Sequence, residues 1–163
     1  PTEIQALVAP SPQSSPRRAT SGVDAARVSM TLAVLQARLG ARIQGTDVYV
    51  STVGGARATE PAVDLAVALA LLGAAENYQL RSGLVAVGEV GLTGELRATV
   101  GVQRRLAEAA RLGFRTAIVP KHGSEDLRPV PGLQVQPVTH VRDALEAAHP
   151  VSRPVTPLRV VKP

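Results

Sequence analysis

Apolar positions recur with periods of two and of three to four along most of this chain. Glu3 to Val8 alternates, with Ile4, Ala6 and Val8 on one face, and predicts a strand. Residues 10–16, PSPQSSP, have loop composition, because proline denies ladder hydrogen bonds and serine competes for the backbone. Ser21 and Asp24 each offer a helix cap ahead of Val28, Leu32, Leu35 and Leu39. That spacing is one face of an amphipathic helix, which Gly40 ends; Arg27 and Arg38 fall away from the face. Asp47 to Val53 is rich in β-branched residues and predicts a strand with Val48, Val50 and Thr52 on one side, closed by Gly54-Gly55. Thr59-Glu60-Pro61 starts a helix, since proline is tolerated where its missing N–H has no partner anyway. From Ala62 to Ala75 the chain is nearly all Ala, Val and Leu, which predicts a central helix buried on most sides.

The stretch Leu84 to Pro120 carries the densest pattern. Val85 and Val87 alternate, Gly88, Gly91 and Gly94 punctuate, Thr93-Gly94 suits a tight turn, and Leu96 resumes an extended segment. Gly101 hands over to a helix with Val102, Leu106, Ala109 and Ala110 inward and Gly113 as its left-handed stop. Ala117, Ile118 and Val119 form a short buried strand ending at Pro120. A polar loop follows from Lys121 to Pro131, then a last strand marked by Leu133, Val135 and Val138. Val141, Leu145 and Ala148 share a helical face in the segment His140 to His149. The sum is an α/β (α+β) domain over residues 1–149, a mixed sheet with packed helices, and a proline-rich extended tail over 150–163.

Composition narrows the chemistry. The 163 residues suffice for one core, and a hydrophobic content of 45% against 2% aromatics means that small aliphatics fill it, with Phe114 the one phenylalanine. The absence of cysteine excludes disulfides, thiol catalysis and cysteine-ligated zinc. His122, His140 and His149 lack metal-ligand spacing, so no metal is expected here. No apolar run approaches the ~20 residues that span a bilayer, and the start has no signal-peptide layout. A cytoplasmic location is expected, for a domain cut from a longer protein. Net charge is +5, and all of the 18 cations except Lys121 and Lys162 are arginine. Arginine binds phosphate bidentately, which permits nucleic-acid contact, although GC-rich coding produces the same excess. Arg17-Arg18 beside the 10–16 loop is either a solvated turn or a phosphate contact. Asp64, the one charge in the central helix, either complements the helix N-terminus or is a catalytic carboxylate with no visible partner.

Gly88 to Pro120 resembles the core motif of the Lon-type protease domain, in which a Gly-Glu-hydrophobic hairpin leads to a helix carrying the catalytic lysine. The helix after Glu60-Pro61 resembles that family's other catalytic helix, where Gly-Pro-Ser-Ala-Gly places the nucleophilic serine. The order of elements agrees from about Ile4 to His149, so the resemblance implies a Lon-protease-like fold. The catalytic positions depart from the pattern: the serine falls on Ala62 and the lysine on Gln103. A Ser–Lys dyad needs a desolvated, neutral lysine to take the serine proton. Alanine has no nucleophile and glutamine is a very poor base, so the chain is expected not to be a peptidase.

A Lon-like domain that has lost its dyad is a standard part of one family, the RadA or Sms DNA-repair proteins of bacteria. Segments within Ala6 to Asp24, Asp47 to Leu71 and Val85 to Arg97 (VAVGEVGLTGELR) are similar to that family's C-terminal domain. Ala98-Thr99-Val100-Gly101 departs from it, since proline more often follows the arginine there. The resemblance implies a four-cysteine zinc finger and a RecA-like ATPase upstream. This chain has no CxxC and no P-loop of the form GxxxxGK followed by Ser or Thr, so ATP, magnesium and zinc are expected only in those upstream domains, and no cofactor here. It further implies a hexameric ring that drives branch migration in recombinational repair beside the RecA recombinase, with this domain scaffolding the ring and holding single-stranded, branched or duplex DNA. Arg17 and Arg18 are the leading DNA-contact candidates, followed by Arg27, Arg57, Arg104 and Arg105. Glu108, four residues from Arg104, competes for it. The alternatives are a pure oligomerisation module without DNA contact, and a residual hydrolase using Asp64 or a threonine.

Overall fold

A computed structural model describes residues 1–150. The predicted 150–163 tail therefore lies outside the described residues except for Pro150. The first half contains β1 (Ile4–Pro10), β2 (Arg18–Ser21), α1 (Ala25–Leu39), β3 (Thr46–Thr52) and α2 (Asp64–Glu76), the last preceded by a 3-10 turn, Pro61–Val63. The second half contains β4 (Leu84–Ala86), β5 (Glu89–Val90), β6 (Leu96–Arg97), α3 (Val102–Arg111), β7 (Thr116–Pro120), β8 (Gln134–Val138) and α4 (Val141–Ala148).

The first sheet has the order β1-β3-β2, with β1 antiparallel to β3 and β2 parallel to it. Val48 and Val50 point to its inner side and are almost fully buried, as the alternation requires. Asp24 caps α1 by accepting from the Arg27 backbone N–H at 2.8 Å, and Gly40 closes it at φ 67°. The second sheet, β4-β7-β8, is wholly parallel, and every residue of its central strand β7 is buried. Such a strand reads as the unbroken apolar run Ala117 to Val119. The third sheet is the β5-β6 hairpin.

Two expectations need correction. Arg18 does not lie in a loop: it opens β2, four residues whose parallel partner comes about thirty positions later and leaves no local signature. The run from Val85 into the hairpin is not one strand either. At Gly88 the backbone N–H donates to Ala62 O at 3.0 Å and the carbonyl accepts from Leu65 N at 3.1 Å, so this residue is spent on the start of α2. A Cβ at Gly88 would approach Pro120 to 2.9 Å, which is why glycine serves at this crossing. The mixed pairing is thus distributed over three small sheets.

Two hydrophobic clusters share β7 between them. Ile118 joins the larger, formed by α1, α2, α4 and the first sheet with Leu35, Leu65, Leu69 and Val141 at its centre. Ala117 and Val119 join the smaller, with Ala62, Val87, Val102, Leu106 and Leu133. Phe114 is only partly buried at the edge of that second cluster. Among the described residues, no helix is long and apolar enough to cross a membrane.

Candidate nucleic-acid interface and the altered dyad positions

The 3-10 turn Pro61–Val63 holds Ala62 at 4% exposure inside the smaller cluster, where its methyl packs with Val102 and Leu106 of α3. Gln103, one residue into α3, has a different partner. Its side-chain amide donates to Arg128 O at 3.2 Å, and its oxygen accepts from Arg128 N at 2.8 Å. This two-way bond clips the 121–131 loop onto α3. The position that the resemblance assigns to a general base is therefore occupied by a neutral side chain whose amide is engaged. Of the threonines, Thr93 donates its hydroxyl to the Glu95 carboxylate, which Arg97 also holds, and Thr116 is buried within β7.

Asp64 has the partner that its sequence context hid. Arg27 grips it bidentately, Nε to Oδ1 at 2.8 Å and Nη2 to Oδ2 at 2.6 Å, and Val90 N donates to Oδ2 at 3.2 Å. Glu89 lies 3.4 Å from the same Nη2. Hydrogen bonding to Asp64 raises the Arg27 pKa further above its already high value. Arg27, a DNA-contact candidate by sequence, therefore serves a part-buried ion pair that ties α1 to α2.

Arg105 is likewise engaged, with Nη1 and Nη2 on the two oxygens of Glu60 at 2.9 and 2.6 Å. Those bonds hold the Glu60 carboxyl below the usual range and raise the guanidinium. The expected Arg104–Glu108 pair is not formed: Glu108 binds Arg111 instead, at 2.7 and 2.8 Å. Arg104 and Arg57 stand exposed with no carboxylate at ion-pair distance among the described residues.

Arg17 and Arg18 are exposed at the start of β2. Asp47 accepts from the backbone N–H of Arg17 at 2.7 Å, which fixes the chain there while no carboxylate holds the Arg17 side chain. Arg18 donates to the backbone carbonyl of Thr46. The turn 41–45 carries exposed Arg42 directly into Thr46, so Arg42 borders the same edge. Arg142 of α4 donates to Arg38 O at 2.7 Å, bringing two more exposed arginines to the C-terminal end of α1. Sequence reasoning missed Arg38, Arg42 and Arg142 as a group, because the contact between α4 and α1 spans 104 positions. Among the described residues no cluster of His, Cys, Asp or Glu is arranged to hold a metal ion.

A family model described as subunit ChlI of Mg-chelatase matches residues 26–123. Among curated proteins, the chain is 55% identical over 118 residues to a DNA repair protein RadA of Mycolicibacterium smegmatis, covering 72% of this chain and 25% of that protein. It is 42% identical over 154 residues to RadA of Synechocystis, covering 94% and 30%, and 47% identical over 144 residues to RadA of Mycobacterium tuberculosis, covering 88% and 29%. The chain spans roughly a quarter to a third of the length of these relatives.

Proposed function

The chain belongs to the family of the ChlI model and corresponds to the Lon-protease-like C-terminal region of RadA-type DNA repair proteins, and from that premise we propose that it is a non-proteolytic domain that contacts DNA within such a protein. The observation that carries the reading is the pairing pattern of the arginines. Arg27 and Arg105 are neutralised by carboxylates, whereas Arg17 and Arg18 stand adjacent and exposed with no carboxylate at ion-pair distance of their side chains among the described residues. Two exposed arginines where the chain enters an edge strand suit contacts to the phosphates of a nucleic-acid backbone. Loss of both dyad groups supports a role without peptide hydrolysis.

The test is a duplex titration across salt. Each phosphate contact contributes a slope of about −0.9 in log affinity against log salt. Replacing Arg17 and Arg18 with Ala weakens binding and flattens the slope by about 1.8 if each holds one phosphate. Unchanged affinity and slope sink the contact.

Within the longer protein, the reading extends to a scaffold for a hexameric ring that acts in branch migration with the RecA recombinase, in the cytoplasm, ATP, magnesium and zinc being held by upstream domains. One observation favours a second reading, a module for assembly alone. Leu7, Tyr49 and Ala19 face one another across the three strands of the first sheet, on the side away from the core, and Leu7 is 57% exposed. Assembly without DNA affinity, seen by light scattering beside a DNA titration, identifies that case.

A further inference from the structure

We propose that the groove between the C-terminal ends of α1 and α2 and the α4 helix takes one unpaired base of single-stranded DNA, the base extending the Tyr78–His149 ring stack. The inference deepens the DNA-contact reading above and rests on it for the class of ligand.

The groove has a volume of about 500 Å³, within the range of sites for small organic groups. Leu72 and Leu145 are among its aliphatic lining, and Tyr78, His149, Arg142 and Glu76 its polar lining. The Tyr78 and His149 rings stack at 4.7 Å between centroids and 21° between planes. Among the described residues His149 is exposed, so there this stack ends at the surface, where a further flat ring has access to it. Successive bases of a single strand bind on such platforms because every base has a π face, whereas a duplex keeps its faces covered.

A further feature suits the phosphates that accompany such a base. Arg142, Arg38 and Arg42 are exposed around the end of α1, and Arg142 spends one amino group on Arg38 O while keeping others to offer. Glu76 is the one carboxylate in the lining. The turn 41–45 connects this end of α1 to the strand edge bearing Arg17 and Arg18. A branched substrate presents both a duplex backbone for the one and an unpaired base for the other.

The chain has no tryptophan and two tyrosines, so a Tyr49→Phe background leaves Tyr78 as the sole tyrosine reporter. A short oligothymidylate added to the full 163-residue chain is expected to change that fluorescence saturably. His149→Ala is expected to weaken oligothymidylate binding about 5- to 100-fold, the effect of losing one base–aromatic stack, while His149→Phe retains it. Duplex affinity is expected to be unchanged in both variants. Wild-type oligothymidylate affinity in His149→Ala, or fluorescence that stays constant through saturation, overturns the proposal, as does equal binding of free thymidine monophosphate. Failure of the Arg17–Arg18 contact instead appears as an unaltered duplex salt slope and leaves the Tyr78 signal untouched.

Discussion

Arg27 and Asp64, thirty-seven positions apart, meet in a two-point ion pair that joins α1 to the first turn of α2. Asp64 is 4% exposed at its side chain and Arg27 25%, so little water screens the pair. Removing Arg27 leaves the Asp64 carboxylate buried without its counter-charge, which costs about 3 kcal/mol or more, whereas removing Asp64 leaves Arg27 part-exposed beside Glu89. Arg27→Ala is therefore expected to lower the melting temperature by about 6–12 °C in a domain of this size. Thermal denaturation followed by circular dichroism reads this directly. The folded variant is expected to bind duplex DNA as the parent does, because the pair faces inward.

Arg105 provides the matching control at the surface. Its guanidinium already carries Glu60 on both amino groups, so it has little left for a phosphate. Arg105→Ala is expected to leave the salt slope of duplex binding within error of the parent, under the titration that detects loss of Arg17 and Arg18. A drop of a full phosphate contact would show that DNA displaces Glu60.

Gln103 anchors a loop. Its two bonds to the Arg128 backbone are the side-chain hydrogen bonds found between α3 and the 121–131 segment, and each contributes about 1 kcal/mol at most in an exposed setting. Gln103→Ala is expected to speed amide exchange at Arg128 and to lower stability by roughly 1 kcal/mol. Reintroducing the family's reactive pair as Ala62→Ser with Gln103→Lys breaks the same clip, so loop mobility, measured by exchange, is the expected result.

The β5-β6 turn carries a pH signature. Thr93 donates its hydroxyl to Glu95, and Arg97 approaches the same carboxylate at 2.5 Å. These bonds, the Thr93 hydroxyl first, lower the Glu95 pKa from 4.5 to about 2. A depressed carboxyl stabilises the fold above its unfolded value, and that contribution is lost as pH falls from about 4.5 through about 2. Carbon-detected NMR titration of Glu95 is expected to show a midpoint near 2, with Thr93→Val moving it upward.

Elements set by neighbours in sequence were legible. The Val28, Leu32, Leu35 spacing, the Asp24 cap and the Gly40 stop describe α1 almost to the residue, because helix bonds are local. β2 escaped because RATS is only four residues long and pairs with a strand far along the chain. The arginines show the same limit. Spacing suggested Arg104 with Glu108, yet Glu108 chose Arg111, while the pairs with the best geometry, Arg27–Asp64 and Arg105–Glu60, bridge 37 and 45 positions. Such partners are chosen by packing, which a linear pattern does not encode. His140 is a further case. Its Nδ1 accepts from Arg142 N at 3.1 Å, so Nε2 donates to Thr93 O at 3.0 Å and ties α4 to the hairpin turn. At Gly94 in that turn, φ is +86° and a Cβ would strike the imidazole, a constraint that Thr93-Gly94 as a turn signal only half anticipates.

Because β7 contributes to two clusters of unequal size, the two are expected to open at different cost. The smaller is closed by α3 through Val102, Leu106 and Ala109, helped by the Glu60 and Arg128 bonds. The larger holds Leu35, Leu65, Leu69, Leu71 and Leu72 in one mass. Regions with fewer buried contacts open first. Amides of α3 are thus expected to exchange by a partial opening in which α1 and α2 stay protected, so that the strand edge bearing Arg17 and Arg18 keeps its support while the Gln103 clip is open.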